Sequence, residues 1–351
     1  MGKYEFSNGN GNPKGKKRMS TGKKVLVIFV SVFFVALAAL VVWILQPPVQ
    51  DPGKRTSAAS SASIEPPTIG PPSSSDPSIA EPPKGDRIKG IYTILIAGTN
   101  DDYNTDTIMI CYVDTVKNKA NVVSIPRDTQ IDIPNSIKRI NGSYGRAGME
   151  ELCAQVTTIL GVPVDYYCLI NLRNFVKLVN LIDGIDFYVP YNMYHADPNP
   201  NDVINLKKGQ QWLNGKEALM LVRYRGSSQN DFGRTQVQRD FLLAVCKKLV
   251  KEFSVTKMTD IMPVINESLK TSMTVTDMLW FYINFLREVD LDKDINWMSL
   301  PHESTGLYKG QDYVYLDPKQ IVEFVNEYLN PFDLPITEAN IHIPHLKDTD
   351  R

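Results

Sequence analysis

The chain has 351 residues, of which 43% are apolar and 22% are charged, and its formal net charge is −1. This length fits one large domain or two ordinary ones, and the apolar fraction is sufficient for a hydrophobic core. The near-neutral charge argues against a protein held on nucleic acid mainly by phosphate contacts, and four cysteines are too few for a disulfide scaffold.

The N-terminal region is the most asymmetric part of the chain. Residues 1–24 contain seven basic residues and one acidic residue, and we expect a disordered cytoplasmic tail there. Residues 25–45 are uncharged throughout and long enough to cross a bilayer as a helix. The basic residues before them predict a single-pass cell-membrane protein whose remainder is extracytoplasmic. A cleaved signal peptide is the alternative, although its apolar core is usually shorter.

Residues 46–88 are rich in proline and serine. Ten prolines and eight serines lie between Pro47 and Pro83. Such a composition cannot bury enough apolar surface to fold, and its prolines keep the chain extended. We therefore predict an extracytoplasmic stalk over residues 46–88 and a folded domain over residues 89–351.

Predicted strands and helices alternate through this domain. The runs rich in β-branched residues predict strands at Ile91–Ala97, Thr107–Val113, Ala120–Ile125, Val164–Asn171, Phe187–Val189 and Ile295–Leu300. Apolar residues at helical spacing predict helices at Met149–Leu160, Phe175–Ile182, Lys216–Val222, Gly233–Glu252, Thr256–Ser268, Thr276–Glu288 and Lys319–Leu329. This order predicts an α/β fold with a central sheet flanked by helices on both faces, a three-layer α-β-α arrangement.

Motifs of several common enzyme classes are absent from the sequence: a G-x-S-x-G elbow, a Walker A loop, H-E-x-x-H and paired C-x-x-C. The four cysteines lie in apolar strand or helix patterns. We expect them to be free buried thiols, with one structural disulfide as the alternative outside the membrane.

Arginines and aspartates stand at the ends of predicted elements. Asp106 directly precedes a predicted strand. Arg127 follows another strand, at the sheet edge where open α/β folds bind ligands. Arg223 and Arg225 are two residues apart, so an extended segment would direct both side chains to one face.

Asp231 and Arg234 open a predicted helix, whose N-terminus favours anions. Arginine binds phosphate oxygens with a flat fork of donors, and carboxylates bind hard divalent cations. Together these residues favour a phosphate site with a divalent cation. Each also has a structural alternative, since Asp231 could be only a helix cap and the arginines could be surface charges paired with acids.

Four segments resemble the motifs of the LytR-CpsA-Psr proteins. They are TDT (Thr105–Thr107), SIPRD (Ser124–Asp128), LNGKEALMLVRYR (Leu213–Arg225) and DFGRTQVQRDFL (Asp231–Leu242). The resemblance runs from about Ile91 to Leu249, and residues 250–351 look like a C-terminal extension. The predicted membrane anchor and stalk are also similar to those of the family.

The resemblance implies an extracytoplasmic phosphotransferase of Gram-positive-type envelopes. Such an enzyme moves a glycopolymer, for example teichoic acid or capsule, from a polyprenyl-pyrophosphate carrier to peptidoglycan. The acceptor is the C6 hydroxyl of N-acetylmuramic acid. The pyrophosphate-binding residues implied are Arg127, Arg223, Arg225 and Arg234. Arg127 and Asp231 would be catalytic, with Asp231 positioning or deprotonating the acceptor hydroxyl.

The resemblance also implies that Asp106 helps to hold Mg²⁺, and Mn²⁺ would fit the same oxygen ligands. The family has an Asp two residues after the glycine that ends the first strand, where this chain has Asn100. We expect Asn100 itself, or one of the neighbouring Asp101 and Asp102, to supply that ligand. Asn104 stands where the family often has Arg.

Two rival functions remain open from the sequence. The first is hydrolysis of a polyprenyl pyrophosphate, with water in place of the sugar hydroxyl. The second is a non-enzymatic envelope protein that binds polymer or regulates its synthesis.

Overall fold

The structure is a computed structural model, and a six-stranded mixed sheet forms its centre. The structure describes residues 50, 85–99, 103–134, 137–199, 203–224, 269–344 and 346, together with scattered residues between 237 and 251. The strands in chain order are β1 (Ile91–Thr99), β2 (Thr105–Asp114), β3 (Lys119–Ser124), β4 (Tyr166–Asn171), β5 (Ile185–Val189), β6 (Met193–His195), β7 (Ile204–Leu206), β8 (Gly209–Leu213), β9 (Leu269–Thr271), β10 (Ile295–Ser299), β11 (Ser304–Tyr308) and β12 (Gln311–Tyr315). The central sheet has the order β10-β3-β2-β1-β4-β9.

Five α-helices have both of their ends within the described part of the chain. They are α1 (Ser143–Leu160), α2 (Leu172–Leu181), α3 (Gly215–Arg223), α4 (Val275–Phe281) and α5 (Pro318–Tyr328). A π-helical turn, Tyr282–Leu286, continues α4. Within α1, Ala147 and Gly148 have non-helical backbone angles, so the helix is kinked after its first turn.

Helices cover both faces of the central sheet. Alternate residues of a strand point to opposite faces, so β1 contributes side chains to a core on each side. Leu95 and Ala97 of β1 belong to a core that includes the buried faces of α1 and α5. Ile94 and Ile96 of the same strand pack against a second core that includes α4 and its π-helical turn. Each fully buried side chain of this kind contributes about 1.5–3 kcal/mol to folding. The predicted α/β fold with a helix-covered sheet is confirmed.

A third core lies around α2, α3 and the short hairpins. Phe175 of α2, Leu213 of β8 and Leu221 of α3 are buried in it, together with Phe241. The rings of Phe175 and Phe241 meet nearly edge to face, with centroids 6.1 Å apart. This core therefore joins α2, which follows β4, to Phe241 of the segment Asp231–Leu242.

Several element boundaries differ from the prediction. β2 begins at Thr105, so Asp106 lies inside this strand rather than before it. α1 begins six residues earlier than predicted, at Ser143. The sequence did not predict β6, β7, β8, β9, β11 or β12. All six have only three to five residues, which is too short for periodicity to be read reliably.

Some predictions fall outside the described residues. Residues 1–49 and 51–84 are among these, so the tail, the membrane anchor and most of the stalk remain predictions. The same applies to the predicted helix Thr256–Ser268. Within the part of the chain that the structure describes, no helix is both long and apolar enough to cross a membrane.

The C-terminal part is built into the central sheet. β10 pairs in parallel with β3 over its whole length, from Ile295 opposite Ala120 to Ser299 opposite Ser124. α5 belongs to the same core as β1. A boundary near residue 250 stays a prediction, because residues 252–268 lie outside the described ranges.

Candidate functional site

One edge of the central sheet gathers the ends of four strands. β1 is parallel to β4, β3 is parallel to β10, and β2 runs antiparallel to both β1 and β3. The carboxyl ends of β1, β3, β4 and β10 therefore meet at the edge where β2 begins. Ligands of open α/β sheets bind at such an edge, and Asp106 and Arg127 both lie there.

Asp106 and Arg127 form an ion pair across this edge. The antiparallel β2–β3 ladder ends at the pair Met109–Ser124, and Arg127 lies three residues further on, in the turn that the Thr129 amide closes on the Pro126 carbonyl at 3.0 Å. The Nη1 of Arg127 donates to the Oδ1 of Asp106 at 2.8 Å. Both side chains are about one third exposed, at 33% and 30%. The pair therefore joins the start of β2 to the turn after β3 and is still open to a ligand.

Asp128 and Arg139 extend this pair into a chain of alternating charges. The Nε of Arg127 lies 3.5 Å from a carboxylate oxygen of Asp128. The other Asp128 oxygen lies 3.4 Å from the Nη1 of Arg139. The chain turns back between the two residues, since the Ile131 amide donates to the Lys138 carbonyl at 3.0 Å. Sequence reasoning missed Arg139, because no local pattern shows that this return brings it to Asp128.

The C-terminal hairpin β11–β12 holds the loop that carries these charges. The Val314 amide donates to the Asp128 carbonyl at 3.0 Å, and the Gln130 amide donates to the Val314 carbonyl at 3.0 Å. Arg139 donates from Nε to the carbonyl of Asp312 at 2.9 Å, and its guanidinium lies 5.5 Å from the ring centroid of Tyr313. Backbone pairing with β12 therefore fixes the position of the loop, and its side-chain contacts fix Arg139.

The start of α1 supports the same edge from the other side. Gly145 lies so close to the carbonyl oxygen of Tyr103 that an added Cβ would overlap that oxygen. Tyr103 belongs to the connection between β1 and β2. The connection is also held by a hydrogen bond of 2.7 Å from the Thr99 hydroxyl to the Asn104 carbonyl. The segment just before Asp106 is thus packed directly against a helix.

Electrostatics keep Arg127 fully charged. Partial burial alone would lower its pKa, but the carboxylates of Asp128 and Asp106 outweigh burial and raise the pKa above its usual value. A guanidinium held by carboxylates presents planar donors that also match phosphate oxygens. Chemically, this edge can bind an anionic phosphate group and stabilise charge that develops on it.

Arg223 is placed by a well-capped helix. The Asn214 side chain accepts from the amides of Lys216 and Glu217, and the Glu217 carboxylate accepts from the Asn214 amide, so α3 begins with a capping box. Arg223 is the last residue of α3, and the chain becomes extended at Tyr224. The expectation that Arg223 lies in an extended segment is therefore wrong for this residue, because the helix continues one residue beyond its predicted end.

The remaining candidate residues lie outside the described residues: Asn100, Asp101, Asp102, Arg225, Asp231 and Arg234. Among the side chains that the structure does describe, no group of three or more His, Cys, Asp or Glu residues could hold a metal ion. Asp106 is the described carboxylate at the predicted metal position. Cys111, Cys153 and Cys168 are free thiols, as expected, and Cys246 lies outside the described residues.

Comparison with known proteins gives relatives over about half of the chain. Teichoic acid transferase TagV of Bacillus subtilis (strain 168), named a polyisoprenyl-teichoic acid–peptidoglycan transferase, is 29% identical over 205 residues, 55% of this chain and 52% of that protein. TagU of the same strain, named for the same transfer, is 32% identical over 197 residues, 54% of this chain and 62% of that protein. The chain thus spans less than two thirds of the length of either relative.

The fold comparison agrees with these relatives. The crystal structure of B. subtilis TagV superposes with a TM-score of 0.60 at 24% identity and covers 71% of this chain and all of that structure. At this identity the likeness supports the fold. The LytR_cpsA_psr family matches residues 64–329, which include β10, β12 and α5 as well as the motifs around Asp106 and Arg127. This match covers most of the sequence and confirms the resemblance seen in the four motifs. The chain therefore belongs to the LytR_cpsA_psr family.

Proposed function

We propose that this protein transfers a glycopolymer from a polyprenyl-pyrophosphate carrier to the C6 hydroxyl of N-acetylmuramic acid in peptidoglycan. One structural observation carries the proposal: Arg127, in the turn after β3, is ion-paired with Asp106 at the carboxyl edge of the sheet. Membership of the family and the names of TagV and TagU support the same reaction class. Teichoic acid is the polymer that these names suggest.

The reaction requires the acceptor oxygen to attack the phosphorus that carries the polymer. The bond from that phosphorus to the bridging pyrophosphate oxygen breaks, and polyprenyl phosphate leaves. Negative charge accumulates on the departing phosphate, and arginine donors stabilise it by position and charge rather than by covalent chemistry. We assign this role to Arg127, with Arg223, Arg225 and Arg234 as further pyrophosphate ligands.

Arg139 joins this group on structural grounds. It shares Asp128 with Arg127, and its guanidinium is fixed by the Asp312 carbonyl and the Tyr313 ring. A second guanidinium held this firmly can bind another phosphate oxygen at little entropic cost. The acceptor hydroxyl has to lose its proton, and we assign that proton to the carboxylate of Asp231.

Mg²⁺ is proposed as the cofactor, and Mn²⁺ would suit the same ligands. Asp106 and Asp101 would supply carboxylate oxygens, and Asn100 would supply its amide oxygen. When bound, the cation would neutralise part of the pyrophosphate charge. Asp106→Ala should remove the metal dependence of turnover together with activity. Unchanged metal affinity of this variant in calorimetry would exclude Asp106 as a ligand.

The test of the reaction uses the full chain in detergent micelles. A synthetic polyprenyl-pyrophosphate oligosaccharide and soluble peptidoglycan fragments would be supplied with and without Mg²⁺, and the products identified by mass spectrometry. A phosphodiester-linked conjugate that requires Mg²⁺ is the expected result. Release of the oligosaccharide phosphate to water alone would support the pyrophosphate hydrolase instead. Tight binding of the lipid without turnover would support a polymer-binding protein.

We also propose the location of the protein from its sequence. The uncharged segment 25–45 would anchor it in the cell membrane, and the stalk would lift the domain toward the wall. Such a placement would give the domain access to a lipid-linked donor and a wall acceptor. Protease digestion of intact cells tests it, since an extracytoplasmic domain should be removed while a cytoplasmic tail tag stays protected.

A further inference from the structure

Two aromatic side chains are exposed on one face of the hairpin formed by β5 and β8. Tyr188 and Trp212 each expose 53% of their surface. In the antiparallel register Tyr188 stands opposite Gln210 and Trp212 opposite Asp186, so the two rings occupy diagonal positions, roughly 7–8 Å apart. Scattered single aromatics on a surface are ordinary, but two at diagonal positions on the same face of one ladder form a patch.

The polar residues of this face complement the rings. The Nε2 of Gln210 donates to the Oδ1 of Asp186 at 2.8 Å. The pair offers carboxylate and amide oxygens as hydrogen-bond acceptors between the two aromatic rings. Flat apolar rings beside fixed acceptors are the chemistry that recognises a sugar, whose C–H faces stack on aromatic rings and whose hydroxyls donate hydrogen bonds.

Trp212 is held in place before any ligand arrives. The ammonium of Lys248 lies 4.4 Å from the indole ring centroid and donates to the Gly184 carbonyl at 2.7 Å. A Cβ added to Gly184 would lie 2.5 Å from the indole Nε1, so glycine is needed to let the ring pack there. Gly184 also has a φ of +71°, which other residues rarely adopt. A fixed ring loses little conformational entropy on binding.

Charge distinguishes between the two polymers of the proposed reaction. The strands IDFYV and GQQWL contain Asp186 and no basic residue. With the ammonium of Lys248 at the Trp212 ring, the face has one cation and one carboxylate, so a phosphate-rich polymer gains no net electrostatic attraction there. The peptidoglycan glycan strand is a chain of N-acetylated hexosamines without phosphate, and it suits a face of aromatic rings and hydrogen-bond acceptors.

Helix α3 connects the hairpin to Arg223, one of the proposed pyrophosphate ligands. β8 ends at Leu213, α3 follows at once, and Arg223 closes α3. A helix of this length is roughly 14 Å long. The aromatic face and Arg223 therefore lie at opposite ends of one short rigid element. A glycan chain that rests on the hairpin could reach the arginine end of α3 with its neighbouring sugars.

We propose that the outward face of β5–β8, formed by Asp186, Tyr188, Gln210 and Trp212, binds the glycan strand of the peptidoglycan acceptor. The inference rests on the proposed transfer to peptidoglycan and adds the surface that holds the acceptor. It concerns binding of a neutral sugar chain, so it can be measured without turnover.

The test measures binding of the full chain in detergent micelles to an uncharged N-acetylglucosamine hexamer by calorimetry. Trp212→Ala and Tyr188→Ala should each weaken the affinity at least roughly tenfold, as for an aromatic hot spot. Tyr194→Ala is the matched control, since Tyr194 is an exposed tyrosine on β6, and it should leave the affinity unchanged. Circular dichroism checks that each variant is folded, and Tyr188→Ala remains decisive if the Trp212 variant is not.

A parallel titration with soluble poly(glycerol phosphate) separates the two polymers. If Trp212→Ala and Tyr188→Ala lose affinity for this polyanion but still bind the hexamer as the wild type does, the face binds the donor polymer and the proposal is overturned. Equal hexamer affinity in all variants would also overturn it. In the transfer assay, Trp212→Ala should raise the KM for peptidoglycan fragments and leave kcat nearly unchanged. If Trp212→Ala transfers polymer with an unchanged KM, the glycan-binding role of the aromatic face is rejected and the proposed function stands. If glycan binding depends on Trp212 but the protein transfers nothing, only the proposed function is rejected.

Discussion

Replacing Arg127 by alanine should separate activity from stability. Its ion pair with Asp106 has both side chains about one third exposed, at 33% and 30%. Solvent screens such a pair, so its loss should cost no more than about 1 kcal/mol of the free energy of unfolding. That change lowers the melting temperature by only roughly 2–4 °C in a domain of this class.

The same substitution should have a much larger effect on transfer. It removes a fixed guanidinium from the place where phosphate charge develops. Loss of one such donor typically lowers kcat roughly 10²–10³-fold, or about 2.7–4 kcal/mol. Arg127→Lys should recover only part of the loss, because lysine keeps the charge but not the planar fork of donors.

Transfer would be followed by mass spectrometry and stability by thermal unfolding on the same preparations. Arg287→Ala is a suitable control, since Arg287 is an exposed arginine between the π-helical turn and β10. It should change neither quantity. Wild-type turnover in Arg127→Ala would refute the phosphate-binding role, and a loss of activity matched by a large fall in melting temperature would make the role structural.

Three further predictions concern other parts of the domain. Arg87→Met leaves the fully buried carboxylate of Asp165 without the cation that lies 2.5 Å away. The free energy of unfolding in urea should therefore fall by about 3–5 kcal/mol. A smaller fall in the double variant with Asp165→Asn would identify the uncompensated charge as the cause. Gly145→Ala forces its new Cβ against the Tyr103 carbonyl and should cost about 1–3 kcal/mol of stability together with transfer activity, and unchanged values of both would show that the connection moves freely. Burial, aided by Glu150, raises the pKa of Cys153 to about 12, and since the thiolate is the reactive form, iodoacetamide at pH 8 should label this residue only after unfolding. Rapid labelling of the native protein, mapped by peptide mass spectrometry, would contradict that placement.

The long elements were predictable because each carries its own periodic pattern. β1 and β3 are runs of β-branched residues, and α5 has apolar residues at helical spacing, so their existence did not depend on partners. The short strands β6, β7 and β9 have three residues each, and no periodicity can be read from so few positions. Their conformation is decided by the strands with which they pair.

The candidate site divides in the same way. The position of Arg127 after a strand was enough to predict its place at the carboxyl edge of a sheet. Its pairing with Asp106 depends on β2 lying beside β3 and on the turn that contains Arg127, which no local pattern encodes. Arg139 reaches Asp128 only because the chain folds back and β12 pairs with the loop between them.

The sequence by itself determined the class of fold, the order of the family motifs and the residue types that can bind phosphate. These properties depend on side-chain chemistry and on spacing over a few residues. The tertiary structure alone decided which charges pair, that the C-terminal strands β10 and β12 support the site, and that Tyr188 and Trp212 share one exposed face. The physical reason is that such contacts join residues distant in sequence, so they depend on strand order and register rather than on any local pattern.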